Sequence, residues 1–242
     1  MRRPPAACAG GAPGSDFRRG LLLVALAFAA LQAGLPAGAQ QTGVSATLHN
    51  LSVSGPGEIH AQSETEVCKF CHIPHAAVVS QPLWGHALST AERYQVAPLR
   101  RGRVAGPAPQ PDGSSRLCLS CHDGTVALGE IGRASTRIAM SGSQRLERGR
   151  PSHLGVDLSG SHPVSFVVPD MDPAPGSGSD MTLRPLAVVS ADKDVKLDAE
   201  GKMQCTTCHD PHQDRYYQPG SVPHFWVKPT VGEVCLACHQ VR

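Results

Sequence analysis

Four short motifs of identical spacing constrain this sequence more than any other feature. In each motif two residues separate a pair of cysteines, and a histidine follows the second cysteine at once. The four cysteine pairs are Cys68 and Cys71, Cys118 and Cys121, Cys205 and Cys208, and Cys235 and Cys238. The histidines that follow them are His72, His122, His209 and His239. Histidine occupies only 12 of the 242 positions, so four such placements out of four indicate a shared chemical task.

The C-x-x-C-H pattern is the attachment signal of c-type haem. Two thiols one helical turn apart can form thioether bonds with the two vinyl groups of one porphyrin. The adjacent histidine is then placed beneath the iron as its proximal ligand. Disulfides and zinc-binding cysteine pairs are the alternatives, but neither requires a histidine after every second cysteine. The sequence therefore predicts four covalently bound haem c groups with iron as the metal.

The composition agrees with a core that is not made of protein alone. Aromatic residues make up 4% of the chain, beside 25 glycines and 21 prolines. Such a chain cannot easily offset its folding entropy by burying side chains. We expect a mostly coil fold with short haem-attachment helices, a few short β-strands and little regular secondary structure. The formal charge of +2, with both signs interspersed, gives no reason to expect a nucleic-acid partner.

The first 39 residues have the pattern of a secretory signal peptide. Arg18 and Arg19 precede an apolar run over residues 21–31, and small residues lead to a predicted cleavage site before Gln40. Cleavage there would remove Cys8, the one cysteine outside the motifs. The apolar run is too short to span a bilayer with ease, although a retained N-terminal anchor is the alternative. We expect an exported protein with no integral membrane segment after cleavage.

A two-haem unit occurs twice in the remaining 40–242 segment, which we predict to be one tetrahaem domain. The units span 68–122 and 205–239, and both contain the string Cys-His-x-Pro-His. The insertion between them, 123–204, is predicted to contain short strands at 163–168 and 183–189, a hairpin over 195–204 and a flexible linker, 172–180. Capping boxes are predicted at 63–66 and 230–233, before the first and fourth motifs.

The sixth ligand of each iron decides what a haem can do, because an open site permits substrate chemistry and a filled one favours electron transfer. Eight histidines lie outside the motifs: His49, His60, His75, His86, His153, His162, His212 and His224. No methionine has a local pattern that suggests ligation, so bis-histidine coordination is favoured. His75 and His212 lie three residues beyond proximal histidines, too close to bind the same iron, and are predicted to reach a neighbouring haem.

Several longer strings resemble the doubled-CxxCH tetrahaem c-type cytochromes, a group that includes the OmcE-type subunits of extracellular cytochrome filaments, or nanowires. The strings are HNLS at 49–52, CKFCHIPH at 68–75, PLWGHALS at 82–89, LCLSCHDG at 117–124, SHPVSF at 161–166 and CTTCHDPH at 205–212. Gly85 stands where the family more usually has Asn. The resemblance implies five candidates for four distal positions: His49, His75, His86, His162 and His212.

The resemblance also implies a row of haems that conducts by hopping, and in the filament relatives an early histidine ligates a haem of the next subunit. His49 is the candidate for that link to a homopolymer. We expect an electron-transfer protein, not an enzyme, because all four motifs are regular and spare histidines are available. We expect a polymerising extracellular or cell-surface conduit, with a monomeric periplasmic shuttle as the alternative, and other redox proteins or an extracellular acceptor as partners. A multihaem reductase is the remaining alternative.

Overall fold

The computed structural model describes residues 43–79, 82–101, 104–132, 136–170 and 181–241. The predicted leader, 1–39, and the predicted linker, 172–180, lie outside these residues. Contacts divide the chain into Met1–Gln40 and Gln41–Arg242, and every described residue belongs to the second unit. Within the described ranges, no helix has the length and apolarity needed to cross a bilayer.

The helices of the described residues are short, and most of them carry a cysteine motif. Two are 3-10 helices, Val44–Ala46 and Val67–Phe70. The α-helices are α1 (Gly113–His122), α2 (Leu186–Ser190), α3 (Cys205–Cys208) and α4 (Val231–Cys238). A helical turn brings the two cysteines of a motif to the same side of the backbone, as the attachment chemistry requires.

One of the two predicted capping boxes begins a helix. Thr230 is the N-cap of α4, and its hydroxyl oxygen accepts a hydrogen bond from the Glu233 N–H at 3.2 Å. The predicted box at 63–66 is wrong, because the helix there begins at Val67 and no side chain caps it. Glu66, the expected partner of Ser63 in the box, is itself the N-cap residue, and its N–H donates to the Glu64 carboxylate at 3.0 Å.

The strands are two or three residues long and form separate two-stranded pairs. They are β1 (His60–Ala61), β2 (Gln95–Val96), β3 (Leu99–Arg101), β4 (Val104–Gly106), β5 (Glu130–Ile131), β6 (Thr136–Arg137), β7 (Met140–Ser141), β8 (Asp157–Leu158), β9 (Phe166–Val167), β10 (Met181–Leu183), β11 (Lys202–Met203) and β12 (His239–Val241). The pairs β1–β7, β3–β4, β5–β6, β9–β11 and β10–β12 are antiparallel, and β2–β8 is parallel. The mostly coil fold class expected from the sequence is confirmed.

Two predictions for the insertion are wrong in detail. The segment 183–189 is not one strand, because β10 ends at Leu183 and α2 begins at Leu186. The expected hairpin over 195–204 does not form as such, since β11 pairs with β9 rather than with 195–197. In both cases short apolar runs carry no periodicity that separates helix from strand, and tertiary pairing decides the outcome.

The buried apolar side chains form small separate clusters, and each cluster includes motif residues. Phe70 of the first motif packs with Ile59, Leu128 and Met140. Leu119 of the second motif packs with Tyr94 and Leu158. Cys238 belongs to a third cluster with Val168, Val189, Val195, Met203, Val227 and Val234. Full burial of one such side chain contributes about 1.5–3 kcal/mol, so each motif is held by a modest local core.

A buried polar network joins the second motif to the third. Gln204, 1% exposed, precedes α3, and its side-chain carbonyl accepts from the Ser115 hydroxyl at 2.6 Å on α1. Its amide nitrogen donates to Asp112 at 3.0 Å and to Asp198 at 2.9 Å. The Ser115 hydroxyl oxygen also accepts from the Cys205 N–H at 3.0 Å. The helices that carry the second and third motifs are therefore fixed to each other by one amide and one hydroxyl.

Gly113, at the start of α1, makes this close approach possible. Its φ of +48° lies in the left-handed region that favours glycine. A Cβ at this position would lie 2.8 Å from the Gln204 side-chain nitrogen. Any larger residue would separate α1 from the glutamine that joins it to α3.

We predict that Gln204→Ala lowers the free energy of unfolding of the holoprotein by about 2–3 kcal/mol, because it leaves buried groups of Ser115 and Asp112 without their partner. Urea unfolding followed by haem absorption measures the change. Gln95→Ala, an exposed glutamine in a strand of the same chain, is the matched control and should change the free energy by less than about 0.5 kcal/mol. Equal stability of the two variants would contradict the assigned role.

The carboxylates of the same network make stability depend on pH. Burial alone would raise the pKa of Asp112, but the hydrogen bonds from Lys202 and Gln204 outweigh it and hold the pKa below its ordinary value. The pKa of Asp198 is lowered in the same way, with hydrogen bonds from the Lys202 backbone and from Gln204 outweighing burial. A carboxyl whose pKa is depressed by folding stabilises the folded state above its unfolded pKa of about 4, and this contribution is lost as the pH falls through the folded value.

We therefore expect the free energy of unfolding to fall between pH 5 and pH 3, and to fall less in Asp112→Asn than in the native chain. Urea unfolding at the two pH values gives the comparison. The haem propionates titrate alike in both proteins, so the difference between the two slopes isolates Asp112. An identical slope would contradict a depressed pKa at this position.

Candidate haem sites

The proximal histidines of the first three motifs are oriented by backbone carbonyls. The His72 Nδ1–H donates to the Pro82 carbonyl at 2.8 Å, and the His122 Nδ1–H donates to the Ser152 carbonyl at 2.8 Å. The His209 Nδ1–H donates to the His224 carbonyl at 3.0 Å. A carbonyl can only accept, so the proton is on Nδ1 and the lone pair is on Nε2. That tautomer and a fixed ring are what an axial iron ligand needs.

The fourth motif is fixed by its strand instead. His239 is the first residue of β12 and lies opposite Leu183 of β10. The Arg184 side chain donates to the His239 carbonyl at 3.3 Å and to the Leu236 carbonyl at 2.7 Å. The backbone of this motif is thus held by the segment immediately after the predicted linker.

Three of the five distal candidates face a motif histidine. The ring centres of His72 and His212 are 6.2 Å apart, those of His49 and His122 are 6.0 Å apart, and those of His162 and His239 are 6.4 Å apart. Two imidazoles that bind one iron from opposite sides, with iron–nitrogen bonds of about 2 Å, have ring centres about 6 Å apart. The three pairs therefore have the spacing of bis-histidine haem sites.

The ring planes differ among the three pairs. His72 and His212 are nearly parallel, with an angle of 14° between their rings. The angles are 59° for His49 with His122 and 65° for His162 with His239. The first pair would give its iron a different ligand field from the other two, so the sites are not electronically equivalent.

The structure places His49 inside its own chain. Its ring stacks on Phe225 at 4.2 Å and lies beside His122. Burial, and next the neighbouring His122, lower the pKa of His49 to about 4. The imidazole is therefore neutral at physiological pH, which is the form that binds a metal.

The two other candidates are not brought against a motif histidine by these contacts. His86 is fully buried, and its Nδ1 and Nε2 lie 2.8 Å from the Ala87 carbonyl and 3.1 Å from the Ala127 carbonyl. His75 is exposed. Gly85, the departure from the usual family residue, is explained by crowding, because a Cβ there would lie 2.9 Å from the Ile73 side chain.

Exposed apolar side chains lie next to the candidate ligands of several motifs. Leu48, 55% exposed, precedes His49. The side chain of Leu154 is 43% exposed, and its backbone N–H donates to the His122 carbonyl at 2.7 Å. Leu83 lies in the loop that orients His72, and Leu236 lies inside the fourth motif. The apolar face of a porphyrin would contact side chains of this kind, so the residues present fit the group.

The motif thiols of the described chain are free, and consecutive motifs lie close together. Burial, and next the nearby Cys71, raise the pKa of Cys121 to about 12. A hydrogen bond with Cys118 lowers the pKa of Cys205 to about 7. Burial, and next the nearby Cys238 and Cys235, raise the pKa of Cys208 to about 12. The order of proximity is thus first to second, second to third and third to fourth motif.

The described residues give no support to the zinc alternative. Among them, no group of three or more His, Cys, Asp or Glu side chains has the arrangement of a metal site. The haem chemistry requires less of the protein: two thiols for the thioether bonds and one or two imidazoles for the iron. Bound haem would supply reversible one-electron chemistry at each motif.

The functional residues that sequence reasoning missed act through their backbones or behind the ligands. His224 was left without a role, yet its carbonyl orients His209. Pro82 and Ser152 do the same for His72 and His122. No side-chain pattern reveals a carbonyl acceptor, because every residue has one. Phe225 contacts His49, and Trp226 contacts His209. Two adjacent aromatic residues are unusual in a chain with few aromatics, and this pair could have been predicted from the sequence to lie at a site.

One known family matches the last part of the chain. Residues 199–242, which contain the third and fourth motifs, match the family described as the doubled CXXCH motif. No curated protein matches the chain. The doubled motif is that of a multihaem c-type cytochrome, and it indicates covalent haem c binding and electron transfer.

We predict that His49→Ala, His162→Ala and His212→Ala each convert one haem of the purified protein from low-spin to high-spin, since each removes one ring of a facing pair. Optical and electron paramagnetic resonance (EPR) spectra of the ferric proteins measure the loss. His60→Ala is the control, because the His60 Nδ1 lies 3.1 Å from the Gly57 carbonyl and its ring is in none of the three pairs. A fully low-spin spectrum in all three variants would contradict the pairing.

Proposed function

We propose that this chain is an electron-transfer cytochrome that carries four haems c in a row, with His49, His162 and His212 as distal ligands. Three facing histidine pairs, 6.0–6.4 Å between ring centres, carry the proposal. Two imidazoles fill both axial positions of an iron, so electrons can enter and leave while substrates cannot coordinate. We number the haem sites 1 to 4 in the order of their motifs.

The repeat supplies the ligand for the remaining site. His212, three residues beyond the third motif histidine, faces His72 of the first motif. His75 holds the equivalent position beyond the first motif. By analogy with His212, which follows the third motif and pairs with the first, we assign His75 to His209 of the third motif. Its exposure in the polypeptide is what a ligand at the edge of a porphyrin-sized space would have. His86, with both nitrogens against backbone carbonyls, is then a structural residue.

The row follows from the proximity of consecutive motifs. Sites 1 and 2, 2 and 3, and 3 and 4 are adjacent through their cysteines. The His212 ligand adds a link between sites 1 and 3, because it lies three residues from His209. Closely spaced haems with filled axial positions favour transfer between haems over catalysis, so we propose no enzymatic activity.

We propose that the protein is exported, because cytochrome c motifs follow a leader of secretory type. A polymerising extracellular conduit is the second candidate beside a monomeric periplasmic shuttle. The strings shared with filament subunits favour it. The contacts of His49 with His122 and Phe225 support a ligand role inside the subunit, and with that role polymerisation would need another link.

The experiment is a haem count and spectrum of the protein purified from a host with the cytochrome c maturation machinery. We expect four haems per chain, low-spin spectra in both oxidation states, and reversible reduction by small mediators. A high-spin component together with turnover of nitrite or sulfite would overturn the proposal in favour of a multihaem reductase. Electron microscopy of the secreted and periplasmic fractions decides between filament and shuttle, and filaments that persist in His49→Ala would exclude His49 as the link.

A further inference from the structure

One buried carboxylate lies behind the ligands of two haem sites. Asp214 is on the loop between the third and fourth motifs, and its side chain is 11% exposed. One of its oxygens accepts from the Phe225 N–H at 2.7 Å. The other accepts from the His224 Nδ1–H at 2.6 Å. The carboxylate therefore holds two consecutive residues at once, one by its backbone and one by its side chain.

Phe225 needs such support because its backbone is strained. Its φ is +62°, in the left-handed region that bulky residues avoid, and such a conformation costs about 1–3 kcal/mol. Its carbonyl accepts from the Asp210 N–H at 2.8 Å, and its side chain is buried. The neighbouring His224 ring is stacked on Tyr217 with ring centres 3.5 Å apart. Strain that persists in a closely bonded loop points to a functional constraint.

Each of the two residues held by Asp214 contacts an axial histidine of a different site. Phe225 stacks on His49, with ring centres 4.2 Å apart and an angle of 20° between planes. The His224 carbonyl accepts from the His209 Nδ1–H at 3.0 Å. The distal ligand of site 2 and the proximal ligand of site 3 are thus oriented from one point.

The negative charge of Asp214 also acts on the two sites whose ligands are His49 and His209. The carboxylate is one hydrogen bond from Phe225, whose ring stacks on His49, and one hydrogen bond from His224, whose carbonyl accepts from His209. A negative charge held behind the ligands of two haem irons, on a side chain 11% exposed, would favour the ferric state, because screening by solvent is reduced there. Removal of the charge would raise both reduction potentials.

We propose that Asp214 is a positioning residue that sets the ligand geometry of sites 2 and 3 and lowers both of their reduction potentials. This inference rests on the proposed function and deepens it. One carboxylate would then control two neighbouring haems of the row together.

Reductive titration and EPR of the holoprotein at one fixed pH test the inference. In Asp214→Asn we expect the midpoint potentials of sites 2 and 3 to rise and their low-spin signals to shift, while site 4 is unchanged. Site 1 is left out of the comparison, because its proposed ligand His212 lies two residues from Asp214. Asp157→Asn is the matched control, an exposed aspartate whose side chain bonds Ser159, and should change nothing. Unchanged potentials in Asp214→Asn, or an equal shift of all haems, would overturn the inference.

Two further variants test the effect through Phe225 and the effect through His224 separately. They keep the inference testable if Asp214→Asn fails to assemble. Phe225→Leu removes the stacked ring and should alter the EPR signal of site 2 alone. His224→Ala keeps the carbonyl that orients His209 but removes the imidazole bound to Asp214, and should shift the site 3 potential. Spectra identical to the native protein in both variants would overturn the inference. A high-spin native protein would instead overturn the proposed function, and the inference with it.

Discussion

The amide of Gln204 is the interaction on which the arrangement of the sites depends. It bonds Ser115 on α1 and Asp112 before α1 from a position just ahead of α3, so the second and third motifs are fixed by one buried side chain. A half-satisfied network of this kind would be worse than an apolar contact, and the carbonyl and amide of Gln204 are both used. The spacing of the second and third motifs is therefore set by hydrogen bonds of defined length rather than by packing of a large core.

Around each motif the rest of the protein likewise uses a few short-range interactions. Short loops return to present a carbonyl to His72, His122 and His209, and small apolar clusters hold the helices that carry the cysteines. Neither loops nor clusters need long regular elements. A chain with two- and three-residue strands can therefore hold several redox centres, provided that the porphyrins supply the apolar mass that its side chains lack.

The sequence was sufficient to predict the haem-attachment motifs and their helices. It was insufficient to predict which residues, distant in the chain, contact each other. The motifs, their helices and the Thr230 cap follow from spacing alone, because each is decided within one or two turns. His212 was expected to reach a neighbouring haem, but the repeat did not reveal that its partner is His72, in the other unit. The helix at Leu186–Ser190 was mistaken for a strand, since five residues carry too little periodicity to tell the two apart. Asp214 was missed because a loop aspartate has no distinguishing local pattern.

The ring pairs join residues far apart in the chain, and this has a consequence for assembly. In the proposed ligand assignment, His49 precedes its partner His122, so both ligands of site 2 would be present once half of the chain has been made. His72 must wait for His212, 140 positions later. A chain threaded from its N-terminus would complete site 2 first and leave site 1 with one axial ligand until its last quarter emerged. Truncation near the C-terminus would thus damage the haem attached nearest the N-terminus.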